Sequence, residues 1–362
     1  MSLKCGIIGL ANTGKTTLFN CVANTKVHNQ PGMQKANIGQ IDVPDSRLYA
    51  INNIIHAARV MHATVDLVDI PGLTKGSGQA ESTSSKFLAE IQQTDALIHV
   101  IRCFDSDIVP HIEGSVNPVR DKEIVDLELC IRDLTMVERK IHRTDKLVNV
   151  GDKDAKKLKE ILHVYKAHLE DFKPARTVPL SFDERHHAAD MYLITDKPVI
   201  YVCNVDDASA ATGNKYSEQL KQAVKDENAE VLVIAAELEA EIAELESKDD
   251  RDIFLADAGL TEPGVNKVVQ SAYKLLNLQS FFTAGPKEVR AWTIHRGMTA
   301  PQAAGVIHSD LERGFIRAEV MKYHDFITLK SEHACKEAGK LAVEGKNYVV
   351  GDGDIIHIRF NV

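Results

Sequence analysis

The sequence predicts an α/β fold with a mainly parallel sheet, an inserted helical hairpin and a small C-terminal α+β domain. Short apolar runs alternate with polar, helix-prone segments over most of the chain, which is typical of a parallel sheet covered by helices. A highly charged middle segment carries apolar residues at helical spacing. The last part changes to short alternating runs separated by glycine turns, which indicates a separate small domain.

The strands of the expected parallel sheet are short and apolar. The first run, Leu3–Ile8, ends at a glycine, as a strand buried on both faces does. Further runs follow at Thr64–Val68, Ala96–Ile101, Pro198–Cys203 and Val231–Ile234. The interval from the second to the fourth run is much longer than the ~30 residues of one strand–helix–strand unit. We therefore expect an insertion within it.

The charged segment from Asp121 to Asp171 accounts for this insertion. Its apolar residues recur at steps of three and four on both sides of Val150–Gly151–Asp152, which predicts an antiparallel helical hairpin. After Phe281, alternating runs such as Ala291–Ile294 predict short strands. The expected division is a first domain of residues 1–120 and 195–280, an inserted helical domain of residues 121–194, and a C-terminal domain of residues 281–362.

The composition restricts the class of protein. With 44% hydrophobic residues, 26% charged residues and a net charge of −9, the chain is typical of a folded domain protein. Such a charge disfavours nucleic-acid binding through one large basic surface. None of the six cysteines forms a CxxC pair, so we expect reduced thiols and no zinc site. The chain has no long apolar run, and we expect a cytoplasmic monomer without a membrane partner.

A glycine-rich segment follows the first predicted strand. Gly9-Leu10-Ala11-Asn12-Thr13-Gly14-Lys15-Thr16 matches the pattern GxxxxGK[ST] and precedes a predicted helix. Its glycines allow successive N–H groups to face phosphate oxygens, Lys15 supplies a positive charge, and the Thr16 hydroxyl can bind Mg²⁺. The expected phosphate-binding residues are Asn12, Thr13, Gly14, Lys15, Thr16 and Thr17.

A second motif follows the strand that contains Thr64–Val68. Asp69-Ile70-Pro71-Gly72 matches DxxG, in which a carboxylate at a strand end holds Mg²⁺ and a glycine N–H faces the γ-phosphate. The expected metal ligands are therefore Thr16 and Asp69, and Gly72 is an expected nucleotide contact.

Two further loops are expected to contact the base. After the fourth strand, Asn204-Val205-Asp206-Asp207 follows the Asn-Lys-x-Asp pattern except that valine replaces lysine. Ala235 and Ala236, after the fifth strand, match a loop whose backbone touches the base edge. Because the carboxyl ends of parallel strands lie at one edge of a sheet, we expect Asn204, Val205 and Asp207 to lie near the phosphate loop.

Together these segments resemble the YchF-type subfamily of the Obg group of P-loop NTPases. The resemblance extends to the C-terminal part, and it is carried there by Asn277–Gln279, Thr283–Gly285, Lys287–Thr293, Gly314–Val320 and Gly351–Asp354, as well as by Pro44–Leu48 near the start. It implies a G domain, an inserted coiled-coil hairpin and a C-terminal ubiquitin-like TGS domain. It also implies slow hydrolysis of ATP or GTP with Mg²⁺, and association with ribosomes or RNA through the TGS and helical domains.

Several positions depart from that family. Met33 stands where the family has a first-switch threonine, and the glycine-rich second switch is altered in residues 76–85. Leu73 occupies the place of the water-orienting glutamine of Ras-like enzymes, so a slow hydrolase is implied. Asn12 matches an asparagine that helps hold K⁺ in relatives. Lys15 and Asn12 are the expected catalytic residues.

The favoured function is a slow ATPase or GTPase that cleaves the β–γ phosphoanhydride and acts as a ribosome- or RNA-associated switch. The alternative is a nucleotide-binding scaffold with decayed hydrolysis, which Met33 and the altered second switch favour. A nucleotide kinase would need an arginine-rich lid that the sequence lacks. Asp207 favours guanine, whereas Val205 and the family favour adenine, so the base stays open with a slight preference for ATP. Expected phosphate contacts of the C-terminal domain are Lys287, Arg290, Arg296, Arg313 and Arg317.

Overall fold

The computed structural model of the chain describes residues 4–23, 37–71 and 88–361. They form two compact units: the first comprises Met1–Gly39 and Asp66–Val268, and the second comprises Gln40–Val65 and Val269–Val362. The helical insertion belongs to the first unit. Residues 40–65 belong with the C-terminal part, an association that the sequence does not indicate. The three-domain division stays a prediction.

A six-stranded sheet forms the centre of the nucleotide-binding fold, in the order β2-β4-β1-β5-β6-β7. The pairs of β1 with β4 and β5, of β5 with β6 and of β6 with β7 are all parallel. Every residue of β5 and β6 is buried, as expected for strands covered on both faces. The strands are β1 (Lys4–Ile8), β2 (Asn37–Asp42), β4 (Thr64–Asp69), β5 (Ala96–Arg102), β6 (Val199–Asn204) and β7 (Glu230–Ile234).

Helices connect these strands and surround the sheet. Among the described residues of both units, the helices in chain order are α1 (Lys15–Ala23), α2 (Ser46–Ile55), α3 (Pro118–Val148), α4 (Lys153–Glu170), α5 (Phe182–His187), α6 (Lys215–Ala223), α7 (Ala236–Glu244), α8 (Lys248–Asp257), α9 (Gly264–Leu275), α10 (Ala300–Ile307), α11 (Ser309–Arg313), α12 (Tyr323–Leu329) and α13 (Glu332–Glu337), with a further helical segment at 88–92. Short 3₁₀ turns lie at Ala175–Thr177, Ala189–Met191, Ile194–Asp196 and Asp207–Ser209.

The long helices α3 and α4 form the helical hairpin that the sequence predicts, between β5 and β6. The Asn117 side chain caps the first helix, and the Asp152 side chain caps the second by accepting from two backbone N–H groups. Val137, Leu162 and Tyr165 lie in an apolar cluster of their own. The two helices of the hairpin therefore share a small apolar core of their own.

A buried carboxylate connects the hairpin to the segment that enters β6. Asp133 on α3 is fully buried. It accepts hydrogen bonds from Ile194 N at 2.9 Å, from Thr195 N at 2.7 Å and from the Thr195 hydroxyl at 2.6 Å. These bonds compensate for the removal of the carboxylate from water.

The second unit contains another six-stranded sheet, in the order β11-β10-β12-β8-β9-β3. The short strand β3 pairs with β9 in parallel register, with Val60 opposite Val289. The strands are β3 (Val60–Met61), β8 (Leu278–Ala284), β9 (Val289–His295), β10 (Phe315–Met321), β11 (Leu341–Glu344) and β12 (Ile355–Phe360). The alternating C-terminal runs of the sequence are thus strands, as predicted.

An arginine joins the early segment of the second unit to its C-terminal part. The Arg47 guanidinium donates to Asp45 at 2.8 Å and to Asp352 at 3.0 Å, and it lies over the Phe282 ring. A Cβ atom on Gly353 would lie only 2.9 Å from this guanidinium. The glycine turn therefore makes room for the arginine.

We predict that Asp133→Ala lowers the free energy of unfolding by about 3 kcal/mol, because it leaves three buried donors without an acceptor. Urea denaturation of the full chain measures the loss. Glu123→Ala, at an exposed position of the same helix, is the control and should cost less than about 0.5 kcal/mol. Equal losses in the two variants would contradict the role assigned to Asp133.

Candidate functional site

The turn between β1 and α1 is built on two glycines with positive φ. Gly9 has φ +146° and Gly14 has φ +91°. A Cβ atom would lie 2.3 Å from Val100 O at Gly9 and 2.2 Å from Asn204 Nδ2 at Gly14. A side chain at either place would collide with its neighbour. The turn therefore curls tightly against the ends of β5 and β6, with the amino end of α1 directly after it.

Lys15 begins α1, and its side chain is buried. The ammonium Nζ donates to Leu10 O at 2.5 Å, within the turn itself. Burial lowers the pKa of Lys15 to about 8, although the charge of Asp69 opposes that shift. A phosphate oxygen at this place would accept from the ammonium and favour its charged form.

Thr16 and Asp69 meet beside this lysine. The Thr16 hydroxyl donates to Asp69 Oδ2 at 2.9 Å. Burial raises the pKa of Asp69, while the hydrogen bond from Thr16 and the charge of Lys15 act in the opposite direction. The other oxygen, Asp69 Oδ1, is buried and accepts no hydrogen bond from the residues that the structure describes. A hydroxyl and a carboxylate with an unsatisfied oxygen are ligands that suit Mg²⁺.

Asn204 brings the two expected base loops to the turn. Its Nδ2 donates to Thr13 O at 3.0 Å, and its Oδ1 accepts from Ala236 N at 2.9 Å. Ala235 and Ala236 lie at the start of α7. One amide thus connects the glycine-rich turn of residues 9–16, the phosphate turn, with the loop that follows β7.

Val205 and Asp207 follow Asn204 but face different surroundings. Val205 is buried, and its N–H donates to Ile234 O at 2.8 Å. Asp207 begins a 3₁₀ turn and is exposed, so its carboxylate is accessible to a ligand. Valine has no charged group with which to bind P-loop carbonyls or to cover a base. The side chain of Asp207 is therefore the polar group of this motif that is available for base recognition.

The remaining predicted residues of the turn differ in exposure. Asn12 has φ +61°, is exposed, and donates from Nδ2 to Pro110 O at 3.4 Å. Thr13 is buried, with its hydroxyl donating to Leu10 O at 3.1 Å, and Thr17 is exposed in the first turn of α1. The predicted contact Gly72 and the departures Met33 and Leu73 lie outside the described residues.

The loop between β5 and α3 lies against the phosphate turn, although no sequence motif marks it. Pro110 accepts the bond from Asn12, and the next residue, His111, has both ring nitrogens engaged. Its Nδ1 accepts from Glu113 N at 3.0 Å and its Nε2 lies 2.8 Å from Asp121 Oδ2. The Nε2 atom therefore donates to the carboxylate. No spacing rule connects this loop with a turn so far away in the sequence.

We predict that affinity for a nucleoside triphosphate is constant below pH 8 and falls above it, by up to about tenfold per pH unit. Lys15 has a lowered pKa in the free protein, so it is charged below pH 8 and becomes neutral above it. The loss of that charge weakens phosphate binding. Titration calorimetry at pH 7 to 9.5 measures the effect.

The control is Lys15→Arg, whose guanidinium keeps its charge throughout this range. Its affinity, even if lower overall, should not change with pH in the same window. A parent protein whose affinity is independent of pH up to 9.5 would contradict the assigned environment of Lys15.

Comparisons with known proteins find similar proteins over the whole length of the chain. A family model described as a 50S ribosome-binding GTPase matches residues 4–205, and the model YchF-GTPase_C, described as a protein of unknown function, matches residues 278–361. "Ribosome-binding ATPase YchF" of Haemophilus ducreyi is 47% identical, that of Escherichia coli O157:H7 is 44% identical and that of Bacillus subtilis is 42% identical, each with 100% of both chains covered.

A solved structure is similar over almost the whole chain as well. The structure of the Schizosaccharomyces pombe YchF GTPase has a TM-score of 0.87 and 32% sequence identity, with 99% of this chain and 98% of that chain covered. Among the described residues, no helix has both the length and the apolar character that a membrane span requires.

Proposed function

Because the chain belongs to the YchF family of P-loop NTPases, we propose that it hydrolyses a nucleoside triphosphate slowly and that the bound nucleotide regulates its association with the ribosome. The observation that carries the hydrolase proposal is the meeting of Lys15, Thr16 and Asp69 at one end of the parallel sheet, where Asp69 Oδ1 is buried with no hydrogen-bond partner in the described part of the chain. An arrangement of this kind fits a triphosphate and its divalent cation.

The residues that would hold Mg²⁺ are Thr16 and Asp69. Magnesium supplies charge compensation for the phosphate oxygens when it is bound. Lys15 would donate to the β- and γ-phosphates, and the N–H groups of Thr13 and Gly14 would surround the β-phosphate. These groups orient the triphosphate and stabilise the negative charge that moves onto the leaving β-phosphate as the β–γ bond breaks. Water is the attacking group in such a hydrolysis.

The proposed slow rate follows from what the second motif lacks. Ras-like enzymes use a glutamine after the DxxG glycine to orient water, and this chain has Leu73 there. A leucine side chain has no hydrogen-bonding group. Hydrolysis would then depend on charge supplied by the phosphate turn, by a bound cation near Asn12, or by a partner.

For the base we propose a preference for ATP, with GTP as the competing substrate. The relatives at 42–47% identity are named ATPases, and Val205 lacks the lysine of guanine-specific motifs. The exposed Asp207 carboxylate favours guanine, since it can accept two guanine N–H bonds. Competition between ATP and GTP for the purified protein separates these alternatives.

For the partner we propose the ribosome, and we expect the protein to act in the cytoplasm as a monomer. The support is the name of the full-length relatives, "ribosome-binding". The cationic side chains of the proposed TGS domain differ in whether an acidic or aromatic side chain already contacts them. Arg313 is paired with Asp310, Arg317 lies 3.7 Å from Glu319, and Arg290 stacks on Trp292. Lys287 and Arg296 are exposed, and they are the stronger candidates for phosphate contacts.

We predict that Lys15→Ala lowers the rate of release of inorganic phosphate from ATP by about 100-fold or more, because the positive charge that Lys15 brings to the β- and γ-phosphates is lost. Phosphate release is measured with K⁺ and Mg²⁺ present, with and without ribosomes. Lys225→Ala, the same change at an exposed lysine between α6 and β7, serves as the control. A parent rate no higher than that of Lys15→Ala under all conditions would exclude hydrolysis.

The same experiment distinguishes the alternative function. A nucleotide-binding scaffold with decayed hydrolysis would bind ATP or GTP tightly in calorimetry and release no phosphate above the Lys15→Ala background. Such an outcome would replace the hydrolase proposal by the scaffold.

We predict that K⁺ stimulates hydrolysis relative to Na⁺, and that Asn12→Gly removes this stimulation. Glycine tolerates the positive φ of this position, so the variant removes the side-chain ligand and its 3.4 Å hydrogen bond to Pro110 O without straining the backbone. Rates are compared at equal ionic strength in KCl and NaCl. Stimulation that persists in Asn12→Gly would show that Asn12 does not hold the cation.

A further inference from the structure

Helix α8 of the first unit contributes little of its surface to the core. Among its ten residues only Leu255 is buried, and this side chain belongs to the apolar cluster around the parallel sheet. The Ser247 hydroxyl caps the amino end of the helix by accepting from Asp250 N at 3.4 Å. The other nine side chains of α8 are exposed, so most of this helix is free to contact another molecule.

Two large apolar side chains lie on the solvent side of α8. Ile253 is 57% exposed and Phe254 is 42% exposed. They are neighbours in one helix, so their exposed surfaces form one apolar patch. Removing such a patch from water is favourable, because the free energy gained is roughly proportional to the apolar area that is buried. The fold leaves this gain to a partner.

Three carboxylates surround this apolar pair. Asp249 and Asp250 precede the two apolar residues by four positions, and Asp257 follows Ile253 by four. Positions three and four apart are neighbours on a helix surface, with about 5–6 Å between Cβ atoms. At 3.6 residues per turn, all five positions fall within about 140° of the helix circumference. We call these five residues, Asp249, Asp250, Ile253, Phe254 and Asp257, the outward face of α8.

The cations of α8 do not offset the carboxylates of the outward face. Lys248 and Arg251 lie on the same side of the helix as Leu255. Arg251 also donates from Nε to Leu245 O at 2.7 Å, in the turn before the helix. In the part of the chain that the structure describes, no salt bridge involves a carboxylate of the outward face. The negative charge of this face is therefore available to a partner.

The position of Asp257 indicates that folding alone does not account for the outward face. Asp257 is the last residue of α8, and no basic residue lies in the last turn. The carboxyl end of a helix has partial negative charge, which disfavours an anion there. Asp249 and Asp250 lie in the first turn, where an acidic side chain is favoured. Asp257 thus lowers the stability of its own helix, and a cationic partner would compensate for this loss.

The preceding helix extends the acidic surface. Glu237, Glu241 and Glu244 are exposed on α7 at steps of four and three residues, which places them on one side of that helix. Helix α7 contacts α8. A surface of this sign attracts cationic partners and repels the phosphate backbone of RNA. Nucleic acid is therefore disfavoured as the occupant.

We propose that the outward face of α8 docks a basic segment of a partner protein. Apolar side chains of that segment cover Ile253 and Phe254, and its lysine or arginine side chains pair with the three carboxylates. Charge complementarity selects this occupant. In a two-fold dimer through the same face, the carboxylates of the two copies would oppose each other, which disfavours a second copy of this chain. The docking does not depend on nucleotide hydrolysis.

The test is a titration of the full chain, without nucleotide, with a fluorescent amphipathic peptide of about 14 lysine and leucine residues at helical spacing. Anisotropy reports binding. In one control peptide serine replaces leucine, and in the other glutamate replaces lysine. We expect the lysine–leucine peptide to bind at least about tenfold more tightly than either control, and salt at about 0.5 M to weaken its binding.

Two variants of the outward face are compared with two matched controls. Phe254→Ala should weaken binding about tenfold, because apolar contact area is lost. Asp257→Asn should weaken it about threefold at low salt and have no effect in about 0.5 M salt. Leu147→Ala, at an exposed apolar position of α3, and Asp226→Asn, at an exposed carboxylate between α6 and β7, should bind as the parent does.

Thermal unfolding provides a second measurement. Both variants of the outward face change exposed side chains, so they should fold, and Asp257→Asn should not lower Tm, because it removes an unfavourable charge from the helix end. A lower Tm of this variant would contradict a role of Asp257 outside folding.

Several results would overturn the proposal. These are equal binding of the lysine–leucine and lysine–serine peptides, failure of all three peptides to bind, and equal weakening by Phe254→Ala and Leu147→Ala. A parent dimer in sedimentation velocity that Phe254→Ala dissociates would assign the face to a second copy of the chain. Tighter binding of oligouridylate than of the lysine–leucine peptide, lost in Phe254→Ala, would assign it to RNA.

Discussion

The side-chain amide of Asn204 is the interaction on which the arrangement of the candidate nucleotide site depends. It joins Thr13 O to Ala236 N because β6 ends level with its neighbours, with Arg102 opposite Asn204 in β5 and Ile234 opposite it in β7. A shift of one residue in this register would turn the amide to the other face of the sheet. The parallel sheet thereby fixes where the glycine-rich turn meets the two loops that are expected to contact the base.

Much of this site could be predicted because it is encoded locally. Asp69 and Asn204 are the last residues of β4 and β6, and both were expected at strand ends. The positive φ values of Gly9 and Gly14 follow from a motif that needs them. The helical hairpin and its turn near Gly151 follow from apolar spacing and the capping aspartate. Local chemistry was enough in each of these cases.

Other features depend on contacts between residues far apart in the sequence. Strand β3 has two residues, too few for any alternating pattern, and is defined by its pairing with β9. Arg47 and Asp352 carry no motif that connects them. The exposure of Ile253 and Phe254 likewise depends on which side of α8 contacts the core, and an apolar residue in a sequence gives no sign that it faces solvent.

The second unit combines an early and a late part of the chain, and this affects the order in which the chain becomes structured during synthesis. Residues 40–65 leave the ribosome early, but the strands that complete their unit come from the last part of the chain. Contacts of such long sequence separation form slowly, because the intervening loop must be closed first. Until β8, β9 and Asp352 are made, β3 lacks the strand with which it pairs, and Arg47 has its neighbour Asp45 but neither Phe282 nor Asp352. The nascent chain thus carries an early segment whose folding waits for the end of translation.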